Sequence, residues 1–217
     1  MNPLRDRTGR WACLGAFAVG VLAAPLSAQP KIAITSPRDG DVVHPGSSVV
    51  VEVALSRPER FRMVAILLQG SLKGKHDLVR REPPYRFTVE IPRDIQSTGS
   101  CGITAVGVLP DQMLDSDPIS IDIERPDPPL RLETQLRALF FDSIGDAGNL
   151  IVYGKFADGS KVDLTYSSLT KYKSGSQAIV KIDNNGLATA TGAGKTSITV
   201  ENNGAKVLVP VSVPHEE

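Results

Sequence analysis

Gly192-Ala193-Gly194-Lys195-Thr196 ends the way a phosphate-binding loop ends, on Gly-Lys-Thr. In that loop a glycine-rich turn closes backbone N–H groups around a phosphate at the start of a helix. The pattern needs another glycine five positions before Gly194, where this chain has Thr189. It also needs a helix to follow, and Ile198-Thr199-Val200 reads as strand. The segment is therefore expected to be a Gly-rich bend between strands. Cys101 is a second candidate. As a nucleophile it needs a base, and His44, His76 and His215 are the only histidines, none near it in sequence. Its parity with Ile103 and Ala105 points it inward, where a thiol behaves as a small apolar group.

Asp111, Asp115 and Asp117 form an acidic cluster, but a calcium site takes six or more oxygens and this spacing is not that of an EF-hand. A solvated acidic turn is the expected state. No serine has glycine two residues before and after it, so the strained nucleophile turn of many hydrolases is missing. Lys161, Lys171, Lys173 and Lys181, with Tyr166 and Tyr172, could line a sugar-binding face. Solvated strand faces account for them more simply. The sequence thus assigns no catalytic, cofactor-binding or metal-ligating residue. A glycan-binding accessory module remains the alternative, which requires aromatic rings clustered on one open face. A small secreted hydrolase would instead require an exposed Cys101 with a histidine in reach.

Composition narrows the partners. The chain carries 24 basic and 24 acidic residues. Taking away residues 1–28 removes Arg5, Arg7, Arg10 and Asp6 and leaves 21 basic against 23 acidic. No surplus of cations exists to neutralise a phosphate backbone, so nucleic acid is excluded as a partner. Protein or a cell-surface glycan remains. Residues 1–28 read as a signal peptide, with three arginines, then a short apolar run over Trp11–Ala24, then a small residue at Ala28. The run is too short to span a bilayer. Cleavage after Ala28 is expected to leave Gln29 first, an exported chain (periplasmic, cell-surface or extracellular) with no stable membrane insertion, and Cys101 as its sole cysteine.

The remaining chain must position whatever it presents on strands. Val49, Val51, Val53 and Leu55 share one parity, and Tyr85, Phe87, Val89 and Ile91 alternate with polar residues. Arg62 to Gln69 is nearly unbroken apolar sequence, predicting a strand covered on both faces. Ile119, Ile121 and Ile123 alternate with Ser120, Asp122 and Glu124, which are expected to face solvent. Arg125-Pro126-Asp127-Pro128-Pro129 breaks the pattern and reads as a stiff linker. The expected organisation is a sandwich over 29–124, a linker over 125–129 and a second sandwich over 130–217.

In the second half, Leu130 to Leu139 is ambiguous in period and is taken as a strand followed by a loop. Asp158-Gly159, Asn185-Gly186 and Asn203-Gly204 are hairpin signals, because a tight turn needs positive φ. Val207, Val209, Val211 and Val213 end the chain on one parity, with Pro210 opposite, which predicts an edge strand.

One ordered series stands out: Phe156-Ala157-Asp158-Gly159-Ser160, Asp163-Leu164-Thr165, Tyr172-Lys173-Ser174, Val180-Lys181-Ile182-Asp183, Gly186-Leu187-Ala188-Thr189-Ala190, Gly194 and Ile198-Thr199-Val200. Over about residues 130–213 it resembles the group 2 bacterial immunoglobulin-like domain of the intimin and invasin type. Tyr172 stands where many members carry Trp. Residues 31–124 resemble other bacterial Ig-like sandwiches more loosely, through Ser36-Pro37-Arg38-Asp39-Gly40, Pro45-Gly46 and Pro84-Tyr85-Arg86-Phe87. The resemblance implies an all-β chain of two tandem Ig-like sandwiches, secreted or surface-exposed, serving adhesion, binding or spacing without catalysis.

Overall fold

The computed structural model describes residues 29–70, 72 and 78–215. The leader and His76 lie outside these residues. Among the described residues, nine strands form the first half: β1 (Ile32–Ser36), β2 (Asp41–Val43), β3 (Ser48–Leu55), β4 (Met63–Gly70), β5 (Val79–Arg80), β6 (Arg86–Glu90), β7 (Gly99–Val108), β8 (Met113–Asp115) and β9 (Ile119–Ile123). Ten form the second: β10 (Arg131–Thr134), β11 (Leu139–Phe140), β12 (Ala147–Asn149), β13 (Val152–Lys155), β14 (Lys161–Asp163), β15 (Thr170–Ser174), β16 (Val180–Ile182), β17 (Leu187–Ala190), β18 (Gly194–Asn202) and β19 (Ala205–Val213). One 3-10 turn, Pro58–Arg60, is the only helical element among the described residues, so none of their helices is long and apolar enough to cross a membrane. The chain is all-β, in two sandwiches.

The first sandwich faces β1-β3-β6 against β2-β9-β7-β4-β5, with β8 paired to β7. Alternation does the work, since successive side chains in a strand point to opposite faces. Val49, Val51, Val53, Phe87 and Val89 point inward from one sheet; Val64, Ile66, Cys101, Ile103, Ala105, Ile121 and Ile123 meet them from the other. Arg86, Thr88 and Glu90 stay exposed between the buried residues of β6, as its alternation predicts. β4 departs from expectation. Only Val64 and Ile66 are buried, and Leu67 is half-exposed, so the strand is covered on one face and its apolar outer residues remain open.

The second sandwich has three sheets, β10-β13-β14, β11-β19-β18-β15 and β12-β17-β16. Its core gathers Leu132, Leu150, Val152, Val162, Leu164, Val180, Ile198, Val200, Val209 and Val211. The ambiguous Leu130–Leu139 stretch is β10 followed by a loop, as expected. Asn203 and Gly204 take φ 44° and 86°, the doubly positive turn that joins β18 to β19 with a two-residue loop.

The last strand corrects the sequence reading. β19 is not at an edge: it lies between β18 and β11, which pairs with it in parallel at Val211 and Ser212. Pro210 is still accommodated, for a reason the register supplies. Counting from the tight turn, hydrogen-bonded pairs fall at Asn202–Ala205, Val200–Val207 and Ile198–Val209, so the Ser197–Pro210 pair is non-hydrogen-bonded and the prolyl nitrogen points away from β18.

Phe87 is fully buried at the centre of the first core, while Val50, on the adjacent strand, faces out. Phe87→Ala should cost about 3–5 kcal/mol of stability and Val50→Ala less than about 0.5 kcal/mol in chemical denaturation.

Candidate functional site: the junction between the sandwiches

Among the described residues, the most elaborate polar arrangement lies where the sandwiches meet. Glu124 follows directly on β9 and is 2% exposed. Its parity with Ser120 and Asp122 predicts solvent exposure; instead the second sandwich covers it. One carboxylate oxygen accepts from the Ser167 hydroxyl at 2.7 Å. The other accepts from the Ser168 N–H at 2.7 Å and the Ser168 hydroxyl at 3.1 Å. Behind Ser167, the buried Asn202 amide donates to its hydroxyl at 3.2 Å and to that of Thr170 at 2.9 Å. The Glu124 backbone is held too: its N–H donates to Val43, and His44 Nδ1–H donates to its carbonyl at 2.8 Å. A buried carboxylate is tolerated only when its lone pairs are met, and these donors meet them.

Arg125 docks beside it. Its guanidinium lies 4.2 Å over the Phe156 ring, a cation–π contact, and donates to Ser160 Oγ at 2.9 Å and Asp158 at 3.0 Å. Hydrogen bonds from Ser160 and the Arg125 guanidinium hold the Asp158 carboxyl low, at about 2.

A second, non-adjacent segment completes the junction. Residues 96–98 run parallel to β14 and add to its edge: Asp163 N–H donates to Gln96 and Thr98 N–H to Asp163, each at 2.9 Å. Gly99, at φ 126°, lies so close to Tyr166 that a Cβ would sit 3.2 Å from the tyrosine Cβ. Ile95 packs against both cores.

The residues singled out in the sequence are dispersed. Cys101 is fully buried, its Sγ 3.7 Å from the Gly102 carbonyl, and burial pushes its thiol pKa up, so it is a neutral core group. His44 is committed to Glu124, and His215 is exposed near the chain end. Asp111, Asp115 and Asp117 are exposed around β8, while Ser116 between them turns inward to accept the Ala105 N–H. The Gly192–Thr196 bend carries β17 into β18, a strand, with Gly192 pressed against the Ala178 carbonyl. Of the lysine and tyrosine set, Lys161 sits over the Tyr153 ring, and Tyr166 packs against Gly99 at the junction. Tyr172 turns inward; burial raises its phenol pKa, and its hydroxyl donates to the Thr165 carbonyl at 3.0 Å. Lys173 and Lys181 line one groove. The two most open aromatics among the described residues, Phe140 and Tyr166, stand on different elements and form no common platform.

No family model and no curated protein sequence matches the chain. Among solved structures, the fibronectin(III)-like modules of Clostridium thermocellum CbhA are similar at 17% identity over 43% of this chain and 94% of that one, with a TM-score of 0.36. The endo-beta-1,4-mannanase of Thermotoga petrophila gives 16% identity over 45% of this chain and only 20% of that enzyme, TM-score 0.33. The D00-D0 domain of intimin gives 7% identity over 86% of this chain and 100% of that one, TM-score 0.31. The sandwich assignment rests on the sheets themselves.

Asp158 supplies a pH test. Because its folded pKa is depressed from 3.8 to about 2, its contribution to stability is present above the ordinary carboxyl range and is lost as pH falls through about 2. Asp158→Asn should lower stability at pH 7, where that contribution is present, and the gap to wild type should close as pH falls from about 4 to 2, as read from thermal melts from pH 7 down to 2.

Proposed function

We propose that this chain is an exported, non-catalytic module in which two Ig-like sandwiches act as one rigid unit, spacing or presenting a binding surface. The junction carries this reading. A flexible tether needs no buried carboxylate, whereas Glu124 is enclosed by Ser167, Ser168 and, behind them, Asn202. Two chain segments far apart in sequence, 95–99 and 124–125, cross to the second sandwich, so rotation about the Pro-rich stretch would have to break both. We assign 125–129 as a linker whose first residue is already docked, and 130–213 as a domain of the group 2 bacterial Ig-like type. Export is supported by the charged and apolar leader and by a mature chain with one cysteine, buried.

Small-angle scattering tests the rigidity. The wild type should fit one fixed arrangement, and a Glu124→Ala, Arg125→Ala double variant should scatter as a broader ensemble with a larger radius of gyration. Each buried donor left unpaired costs about 1–3 kcal/mol, enough to open the junction. Identical profiles for the two proteins would count against the proposal.

A further inference from the structure

Two strand edges of the second sandwich face a common groove with their backbone groups unpaired. The tight turn at Asn203-Gly204 sets the alternation of β18: even residues bond to β19, so Glu201 and Thr199 bond to Lys171 and Lys173 of β15. The N–H and C=O of Tyr172 and Ser174 therefore point away from the sheet. Across the groove, Lys181 pairs with Thr189, and Ile182 turns its N–H and C=O away from β17. Among the described residues, the outward N–H and C=O of Tyr172 and the N–H of Ile182 find no partner. The groove holds about 240 Å³ and is lined by Tyr172, Lys173, Ser174, Gln177, Lys181 and Ile182.

Residues 96–98 cover β14, and β11 flanks β19 at Val211 and Ser212. The β14 edge shows that this sandwich accepts an added strand from outside its own sheets. On β15 the Thr170 N–H is taken by the Ser167 carbonyl, which leaves Tyr172 and Ser174 as the outward-facing residues of the edge. Its charge says which strand it admits. Lys173 and Lys181 make no ion pair among the described residues, and Lys173 stands across from the neutral Thr199. Lysines on an edge repel indiscriminate pairing, and opposite charges directly across a ladder attract, so such an edge rejects neutral or basic strands and admits acidic ones.

We propose that β15 is a binding edge for an extended protein segment carrying carboxylates two residues apart. The residue between the carboxylates exchanges main-chain hydrogen bonds with Tyr172. Its neighbours then fall directly opposite Lys171 and Lys173, on the same outer face. This gives the binding-module reading a site and a partner chemistry. It lies wholly within the second sandwich, so it does not depend on the rigidity of the junction.

The probe is a capped heptapeptide of Thr and Val with Glu at its third and fifth positions, titrated into the mature protein and followed by amide resonances and hydrogen exchange. Saturable binding is expected, weakening with salt, with the Tyr172 amide gaining protection. Replacing both Glu by Lys in the peptide, or N-methylating the residue between them, should weaken binding at least tenfold. Lys173→Glu should weaken the acidic peptide similarly and admit the Lys peptide. Absence of saturation, equal binding of the N-methylated peptide, or shifts centred on another surface overturns the proposal. The peptide arms use the unaltered protein, so they decide the matter even where Lys173→Glu folds poorly. Loss of rigidity in the Glu124→Ala protein with peptide binding retained would separate a failure of the spacer reading from a failure of this one.

Discussion

A carboxylate that leaves water must be given its hydrogen bonds back, and the surroundings of Glu124 are arranged to do so. Its side chain comes from the first sandwich, and the donors that satisfy it come from the second, at Ser167 and Ser168. Neither side is complete alone. Separation would expose the carboxylate to water but leave Ser167 and Asn202 to find new partners, so the cost of opening is spread over the network. The arrangement fixes direction as well as contact, because hydrogen bonds at 2.7 Å tolerate little sliding.

Other features of the junction follow from that fixed approach. Arg125 is brought over Phe156 because it is the next residue along the chain, and Asp158 and Ser160 in the β13–β14 turn complete its shell. The close approach of the sandwiches explains the backbone at Gly99, where a side chain would meet Tyr166. It also lets residues 96–98 widen the β10-β13-β14 sheet, so that main-chain pairing joins the two halves through a segment separate in sequence from residues 125–129. The prolines restrict the path between the sandwiches, but the docked residues on either side define it.

Much of the fold was legible in the sequence because alternation records burial directly. Phe87, Val89, Cys101, Ile103, Ile121 and Ile123 all face the core that their parity assigns. The Asn-Gly and Asp-Gly turns were legible for a related reason, since few residues accept positive φ. Parity failed where a neighbour outside the sheet decides burial. Glu124 carries the solvent parity of β9 and is buried by the other sandwich. Leu67 sits in an apolar run, yet nothing covers its face among the described residues. Pro210 signals a missing donor, but only the register shows on which side of β19 that donor is missing. The pairing of residues 96–98 with β14 leaves no pattern at all, because main-chain bonds do not depend on side-chain type. The lysines of β15 and β16 were visible individually. Their grouping around one groove required the turn that folds β16 beside β15.

Residual dipolar couplings test the central claim most directly, because each sandwich reports its own alignment in the same sample. If the Glu124 network makes one body of the two, couplings from residues 31–124 and 130–213 of the wild type will fit a single alignment tensor of one magnitude and orientation. Two tensors of clearly different magnitude in the wild-type protein would show that the sandwiches reorient independently, and would contradict the account.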